Sequence, residues 1–285
     1  MSDKNRKAVC HFSCGATSAI ATAIAIKNYD CELIYSDTGS EHPDNMRFLK
    51  DCEEKLFKKQ VKIVKSKNYN NIFDVFEKKS FLASPAGAPC TTEMKKLPIR
   101  DYLGTRLLTE IQVFGFDASE TTRIARYKAN NPEVELYNPL HELGLTKANC
   151  LALLVRFDIE LPAMYKLGYS NANCIGCVKA ENLKYWAAIR KDFPETFDWY
   201  AKFERKIGRK DEDGKPIGAA INKKYIKGVR NRLFLDELPM DIKPNRKTDM
   251  QCGYSCGSVG DFIEREDIKD LPDNSIDDVM SWLTE

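Results

Sequence analysis

The sequence predicts an α/β protein with a doubly wound parallel sheet, followed by a helical, cysteine-bearing C-terminal portion. Short apolar runs alternate with helix-forming segments along the first half of the chain. Such alternation is typical of parallel strands joined by helical crossovers. After VELYNPL at residues 134–140 the pattern becomes helical, and cysteines occur there in two close pairs. We therefore predict an α/β domain at 1–145 and a helical portion at 146–285.

The individual elements follow from the apolar pattern. Buried strands are predicted at residues 7–12, 32–36, 61–64 and 111–116. Helices are predicted at residues 16–27, 43–57, 147–157 and 162–167, followed by an aromatic-rich stretch at 185–206. Pro43 suits the first turn of its helix, and Asp44 complements the positive end of the helix dipole.

Composition narrows the class of protein. The 285 residues are 43% hydrophobic and 30% charged, with a net charge of +2. No window approaches the roughly 18 apolar residues of a membrane span, and the N-terminus does not resemble a signal peptide, so we expect a cytoplasmic protein without a membrane partner. The lysine-rich stretch Lys202–Arg232 is either a solvated surface or a patch that faces a polyanion such as nucleic acid.

A candidate phosphate loop lies between the first strand and the first helix. Ser13, Thr17 and Ser18 offer hydroxyls there, and Gly15 permits close approach of the backbone to a ligand. A helix N-terminus with such a loop binds anions through its N–H groups. A Walker loop is excluded, because no Gly-Lys-Ser/Thr follows. The alternative is that the serines only cap the helix.

Four motifs in chain order resemble those of the PAPS-reductase-like family within the PP-loop adenine-nucleotide (N-type ATP pyrophosphatase) superfamily. SCGATS at 13–18 resembles its SGGxxS loop, and SDTGSEHP at 36–43 resembles its D/N-T-G-x-E-H/F-P segment. CTTEMK at 90–95, with Pro98, is similar to C-T-x-x-L-K-x-x-P. GFDASE at 115–120, with Arg123, falls where the family carries G-x-R-x-x-E-S-x-x-R. The similarity extends from residue 8 to about 180.

The resemblance implies a fold of the adenine nucleotide alpha hydrolase type and an adenine nucleotide, ATP or PAPS, with Mg²⁺. Asp37 and Thr38 follow the second strand, where doubly wound folds hold ligands. Asp37 is expected to contact adenosine or magnesium, or else only to cap its turn. Lys95 suits phosphate, or is one more solvated lysine. Two residues depart from the family pattern. Asp117 replaces an arginine, although Arg123 and Arg126 remain as cations. Cys14 replaces a glycine and is expected to narrow the loop.

Cys174, Cys177, Cys252 and Cys256 have the spacing of metal ligands. Together they are predicted to hold a 4Fe–4S cluster or Zn²⁺. The alternatives are redox use of one pair and inert buried thiols. Cys252, in Gln-Cys-Gly, also resembles the C-terminal nucleophile of sulfonucleotide reductases, although their following histidine is missing.

Cys90 is a separate candidate. Reductases that use the nonphosphorylated nucleotide carry a Cys-Cys pair at this point, whereas this chain has Pro89-Cys90. Their cluster is therefore not carried over intact. Cys90 is predicted to be either a catalytic sulfur carrier near the nucleotide or a packed residue.

Three functions follow as hypotheses. The first is ATP-dependent adenylation of a substrate followed by sulfur transfer, as in DNA phosphorothioation and RNA thiolation. Lys95 and the loop would stabilise the developing negative charge. A protein such as a cysteine desulfurase would be the sulfur donor. The second is reduction of PAPS or APS to sulfite by Cys252, with thioredoxin as partner. The third is a noncatalytic nucleotide-sensing subunit. The sequence does not predict the oligomeric state.

Overall fold

The computed structural model describes residues 3–84, 87–210, 212, 216–218, 220–226, 229–247 and 276–284. Within this part of the chain, five parallel strands form one sheet in the order β3-β2-β1-β4-β5. These strands are β1 (Lys7–Phe12), β2 (Asp30–Asp37), β3 (Val61–Lys65), β4 (Ile111–Val113) and β5 (Leu136–Tyr137). The predicted α/β class and parallel sheet are confirmed.

One face of the sheet is covered by an alanine-rich helix, α1 (Ala16–Asn28), which is buried along most of its length. Further helices pack on α1 and share its apolar core: α8 (Pro139–Glu142), α9 (Lys147–Arg156) and α13 (Ile276–Thr284). Small side chains on α1 let these helices approach closely. The sheet therefore shares its core with segments from beyond residue 145, and the proposed division of the chain at that point stays a prediction.

The other face of the sheet carries one continuous helical segment from residue 89 to residue 103. It consists of α4 (Pro89–Thr91), a π-helical turn (Thr92–Lys96) and α5 (Leu97–Leu103). A π turn leaves carbonyl groups without their usual helical partner, and the Ser36 hydroxyl donates to the Met94 carbonyl at 2.8 Å. Residues Ile99 and Leu103 pack on the strands. The segment is thereby fixed at the carboxyl end of β2.

A second apolar cluster lies beside the sheet and is rich in aromatic rings. It joins α3 (Ile72–Lys79), α11 (Leu183–Asp192) and α12 (Pro194–Lys206) around the buried Trp186 and Tyr200. The remaining described elements are α2 (Asn45–Asp51), a π turn (Cys52–Phe57), α6 (Arg106–Thr109), α7 (Thr121–Asn130), α10 (Ala163–Lys166), the hairpins β6 (Gly208–Lys210) with β7 (Pro216–Gly218) and β8 (Asn222–Ile226) with β9 (Val229–Leu233), and a 3₁₀ turn (Leu235–Glu237).

Three predicted boundaries differ from the structure by two or more residues. Strand β2 begins at Asp30, whereas residue 32 was predicted. The strand predicted at 111–116 ends at Val113, because the next residues turn towards α1. A Cβ on Gly115 would lie 2.6 Å from the Ser18 backbone, so this segment leaves the sheet to touch the start of α1. The helix predicted from Pro43 begins at Asn45. In the part of the chain that the structure describes, no helix is long and apolar enough to cross a membrane.

Candidate functional site

The strand order places a crevice at the carboxyl ends of β1 and β4. The chain leaves β1 towards β2 on one side and returns in β4 on the other, which makes this the topological switch point of the sheet. The loop Ser13–Ser18 follows β1, and the segment Phe114–Arg123 follows β4. Ligands of doubly wound folds bind in crevices of this kind.

Three hydroxyl groups surround Gly15 at the N-terminus of α1. The position that a Gly15 Cβ would occupy lies 3.5 Å from Ser13 Oγ, 3.5 Å from Tyr165 Oη and 3.9 Å from Ser18 Oγ. Ser13 Oγ and Ser18 Oγ are 3.0 Å apart, and Tyr165 Oη accepts from the Ala16 N–H at 3.3 Å. Three hydroxyls thus converge on one small space at a helix N-terminus, which suits a phosphate group. Thr17, the fourth predicted loop contact, is half-buried within α1.

Cys14 does not narrow the loop, contrary to what replacing a glycine suggests. Its side chain is buried in the core, with Sγ 3.5 Å from the Asn45 carbonyl oxygen. The backbone of Cys14 has φ 55°, a conformation that glycine adopts without strain and other residues adopt at a cost. The consequence of a cysteine at this position is therefore backbone strain, while the anion-facing side of the loop stays open.

In the segment after β4, the Arg123 side chain contacts both an acidic and an aromatic neighbour. Arg123 forms an ion pair with Glu120 at 2.5 Å and stacks its guanidinium 4.7 Å from the Phe116 ring centre. Asp117, which stands in place of the family arginine, accepts hydrogen bonds from the Ser119 N–H and hydroxyl at 2.8 and 2.6 Å. This part of the crevice consequently presents a carboxylate and a neutralised arginine, a poor match for a second phosphate or a sulfate.

Glu41, in the turn after β2, lies beside both Lys95 and Cys174. The Glu41 carboxylate accepts from both the Thr38 N–H and the Thr38 hydroxyl. Its Oε1 lies 3.8 Å from Lys95 Nζ and 3.7 Å from Cys174 Sγ. Both Glu41 and Lys95 are largely buried, so the pair neutralises charge that would be costly in isolation. Asp37 accepts from the Gly39 N–H at 2.8 Å and pairs with Lys65 at 2.8 Å.

Three cysteines line one narrow cavity beside this turn. Its polar lining consists of Thr38, Cys90, Thr91, Lys95, Cys174, Cys177 and Lys179. Cys174 Sγ is 3.1 Å from Thr38 Oγ1, and the Ile175 N–H donates to the Ser40 carbonyl at 2.9 Å. The turn at Cys174–Cys177, called the cysteine turn below, is thus hydrogen-bonded to the turn that follows β2. Among the described cysteines none forms a disulfide bond.

The predicted metal centre is only partly within the described residues. Cys174 and Cys177 lie together, whereas Cys252 and Cys256 lie outside the described residues, so the four-cysteine site stays a prediction. Across the described ranges, no group of three or more His, Cys, Asp or Glu side chains is arranged to hold a metal ion. The described residues therefore do not fit a resident zinc, cluster or magnesium ion, and we derive no step through one.

The chain matches the family model described as "Phosphoadenosine phosphosulfate reductase domain" over residues 7–182. The chain belongs to this family. The match begins at β1 and ends beyond the Cys174–Cys177 turn, so it includes the phosphate loop and all three cysteines of the cavity. The resemblance inferred from the four sequence motifs is confirmed.

One curated relative is an uncharacterized protein, MJ0973, of Methanocaldococcus jannaschii, which is 24% identical over 218 residues. The match covers 74% of this chain and 50% of the relative, so the chain spans about half the length of that protein. A crystal structure of phosphoadenylyl-sulfate (PAPS) reductase from Candida auris in a phosphate complex aligns with a TM-score of 0.44 and 14% identity, over 59% of this chain and 80% of that one.

The structure places five residues at these sites that the sequence did not single out, and one of them, Lys179, lines the thiol cavity. In the sequence, Glu41 is one residue of the SDTGSEHP motif and Thr91 is the residue after Cys90, and neither was assigned a role. Tyr165 and Tyr200 had no signal beyond being tyrosines in helical segments, because their contacts with the loop and the cysteine turn come from distant parts of the chain. The Lys202–Arg232 patch falls mostly on side chains outside the described residues.

Proposed function

We propose that this chain is an ATP pyrophosphatase-type enzyme that adenylates a substrate and then exchanges the activated oxygen for sulfur. A nucleic acid is the substrate class that we favour, of the DNA phosphorothioation or RNA thiolation type. The observation that supports this most directly is that a hydroxyl cradle and a thiol cavity both lie at the carboxyl ends of the strands. A three-hydroxyl cradle lies at the start of α1, and a three-thiol cavity lies beside the turn after β2.

ATP suits the crevice better than a phosphosulfate does. The cradle around Gly15 offers donors for one phosphate chain, whereas Arg123 is already paired with Glu120 and Asp117 is acidic. A ribose 3′-phosphate or a sulfate would need an additional cation. This difference in charge is our reason for preferring adenylation to reduction of PAPS.

The chemistry consists of two displacements. An oxygen of the acceptor attacks the α-phosphorus of ATP, the bond from that phosphorus to the bridging oxygen of the β-phosphate breaks, and pyrophosphate leaves. A sulfur nucleophile then attacks the activated atom of the acceptor, and AMP leaves with the original oxygen. The loop N–H groups and hydroxyls stabilise the charge on the departing pyrophosphate. Lys95, held by Glu41 at 3.8 Å, is the nearby cation that we assign to the phosphates.

The test measures two products in the full chain. With ATP, magnesium, sulfide and tRNA or DNA, we expect equal amounts of pyrophosphate and AMP, formed only when nucleic acid is present. Ser13→Ala and Ser18→Ala should each weaken ATP binding by about tenfold, because each removes one hydroxyl donor to a charged group. Ser281→Ala, on the exposed side of α13, is the matched control.

The alternative reaction is tested with the same preparation. Sulfite released from PAPS or APS in the presence of thioredoxin, without pyrophosphate from ATP, would replace our proposal with the reductase function. A Cys252→Ser variant would then lose all sulfite formation, since that thiol is the expected nucleophile. Absence of calorimetric binding for ATP, PAPS and APS alike would remove the nucleotide assignment itself.

A further inference from the structure

A lysine outside the four sequence motifs lies beside the hydroxyl cradle formed by Ser13, Ser18 and Tyr165. Lys147 is the first residue of α9 and is half-buried. Its Nζ lies over the Tyr165 ring, 5.5 Å from the ring centre. The hydroxyl of that same tyrosine lies 3.5 Å from the position of a Gly15 Cβ. The ammonium group is therefore next to a residue that forms the cradle.

The backbone of Lys147 is fixed at this place. The Thr146 hydroxyl accepts from the Asn149 N–H at 3.3 Å, and Asn149 Oδ1 accepts from the Thr146 N–H at 2.8 Å. Such a capping box holds the first turn of a helix. Helix α9 also packs along α1, whose N-terminus carries the cradle. Packed helices, and not a surface loop, thus set the distance between Lys147 and the cradle.

Two uncharged oxygen atoms hold the ammonium group. Lys147 Nζ donates to the Ser170 carbonyl oxygen and to Asn171 Oδ1, the second at 2.5 Å. These two contacts orient the positive charge without cancelling it, because a carbonyl and an amide carry no net charge. A phosphate oxygen is a better acceptor, since hydrogen bonds between charged groups are roughly twice as strong as those between neutral groups. A phosphate in the cradle would therefore attract Lys147 away from these oxygens.

We propose that Lys147 is a cation that binds the phosphate chain of the nucleotide at the hydroxyl cradle. The inference rests on the proposed function, which places a phosphate chain there. Lysine suits this task because its ammonium group is a compact charge on a flexible stem, so it moves to a phosphate without movement of the backbone. The cradle then combines neutral donors with a positive charge. Lys95, in the wall of the thiol cavity, is a second cation for the same ligand.

The test compares ligands with and without phosphate in the full chain. Calorimetric titration with ATP, pyrophosphate and adenosine gives each affinity for the wild type and for Lys147→Gln, in which a donor remains but the charge is lost. We expect Lys147→Gln to bind ATP and pyrophosphate about tenfold more weakly, because a hydrogen bond between charged groups is lost. Adenosine should bind as it does to the wild type. Lys147→Arg keeps the charge and should recover most of the affinity for ATP.

Lys166→Gln is the matched control. It removes the same charge one residue after Tyr165, but the Lys166 ammonium group is exposed and pairs with Glu160. We expect Lys166→Gln to bind all three ligands with wild-type affinity. The affinity of the wild type for ATP should also fall more steeply with salt than that of Lys147→Gln. Equal losses of phosphate binding in Lys147→Gln and Lys166→Gln would indicate an effect of net charge alone and would overturn the proposal.

A purely structural role of Lys147 predicts a different pattern. If Lys147 only held residues 170–171 against α9, Lys147→Gln would lose affinity for ATP and adenosine by the same factor, or would keep both affinities. Either result overturns the proposal. Ser13→Ala, titrated alongside, separates this failure from a failure of the proposed function. If Ser13→Ala weakens ATP binding and Lys147→Gln does not, the cradle stands and the role of Lys147 falls. If the wild type binds neither ATP nor pyrophosphate, both fall.

Discussion

Replacing Gly15 with alanine tests the phosphate cradle without disturbing the fold. The added methyl would lie 3.5 Å from Ser13 Oγ and from Tyr165 Oη, and 3.9 Å from Ser18 Oγ, which are ordinary van der Waals distances. The backbone of Gly15, with φ −101° and ψ 154°, is in an extended conformation that alanine adopts without strain. We expect the free energy of unfolding to change by no more than about 1 kcal/mol.

The same methyl should have a large effect on nucleotide binding. A phosphate oxygen accepts from a hydroxyl at about 2.7 Å, so an oxygen bonded to these hydroxyls would occupy the space that the methyl fills. Displacing it removes at least two hydrogen bonds to a charged group, at about 1.5 kcal/mol or more each. The total of about 3 kcal/mol corresponds to about a hundredfold loss of affinity.

Calorimetric titration with ATP and with PAPS measures this loss, and adenosine, which has no phosphate, is the reference ligand. Binding of adenosine should be the same in Gly15→Ala and in the wild type. Thermal melting of both proteins shows whether the fold is intact. If Gly15→Ala bound ATP and PAPS with wild-type affinity, no phosphate would lie against Gly15 and the geometric reasoning would be refuted.

Three further predictions follow from single contacts. Gly115→Ala should lower the melting temperature markedly, because its Cβ would lie 2.6 Å from the Ser18 backbone; an unchanged melting curve would contradict this close approach. Tyr165→Phe should reduce ATP affinity by about tenfold by calorimetry, whereas Tyr137→Phe, which loses a hydroxyl bonded to Asn28 near the other end of α1, should bind ATP as the wild type does. Burial raises the pKa of Glu204 to about 7, so the folded state keeps a proton that the unfolded carboxyl releases above its ordinary pKa. The free energy of unfolding should therefore fall by up to about 3 kcal/mol as pH rises from about 4.5 to 7. Urea unfolding at pH 5 and at about pH 7.5 should show this fall in the wild type and not in Glu204→Gln.

The regular part of the fold was predictable because the first three strands are local apolar runs. Strands β1 and β3 were predicted within one residue, and β2 proved two residues longer at its start. The error at residues 111–116 has a physical cause. Phe114 and Phe116 pack with Tyr127 in an apolar cluster outside the sheet. A run of apolar residues predicts burial but does not show whether a sheet or another surface buries it.

The candidate site was predictable to the extent that its residues belong to motifs. The loop at Ser13–Ser18 and the turn at Asp37 and Thr38 stand at the carboxyl ends of neighbouring strands, as parallel pairing requires. The proximity of Cys90 to Cys174 and Cys177 was not predictable, since it depends on how the segment at 89–103 and the cysteine turn pack on β2. Tertiary packing of this kind leaves no periodic signal in a single sequence.

The proposed reaction requires the hydroxyl cradle and the thiol cavity to lie near one another. Phe12 in β1 pairs with Tyr35 in β2, so the loop that follows β1 starts level with Ser36, one strand spacing of roughly 4.8 Å away. The turn that follows β2 starts two residues further on, after Asp37. From that turn, Thr38 Oγ1 reaches Cys174 Sγ at 3.1 Å. In the proposed reaction, a nucleotide in the crevice would present its activated group towards the thiol cavity. Because Glu41 contacts both Thr38 and Lys95, a phosphate that attracts Lys95 would also change the charge balance beside Cys174. This coupling is the physical basis for expecting nucleotide activation and sulfur delivery in a single site.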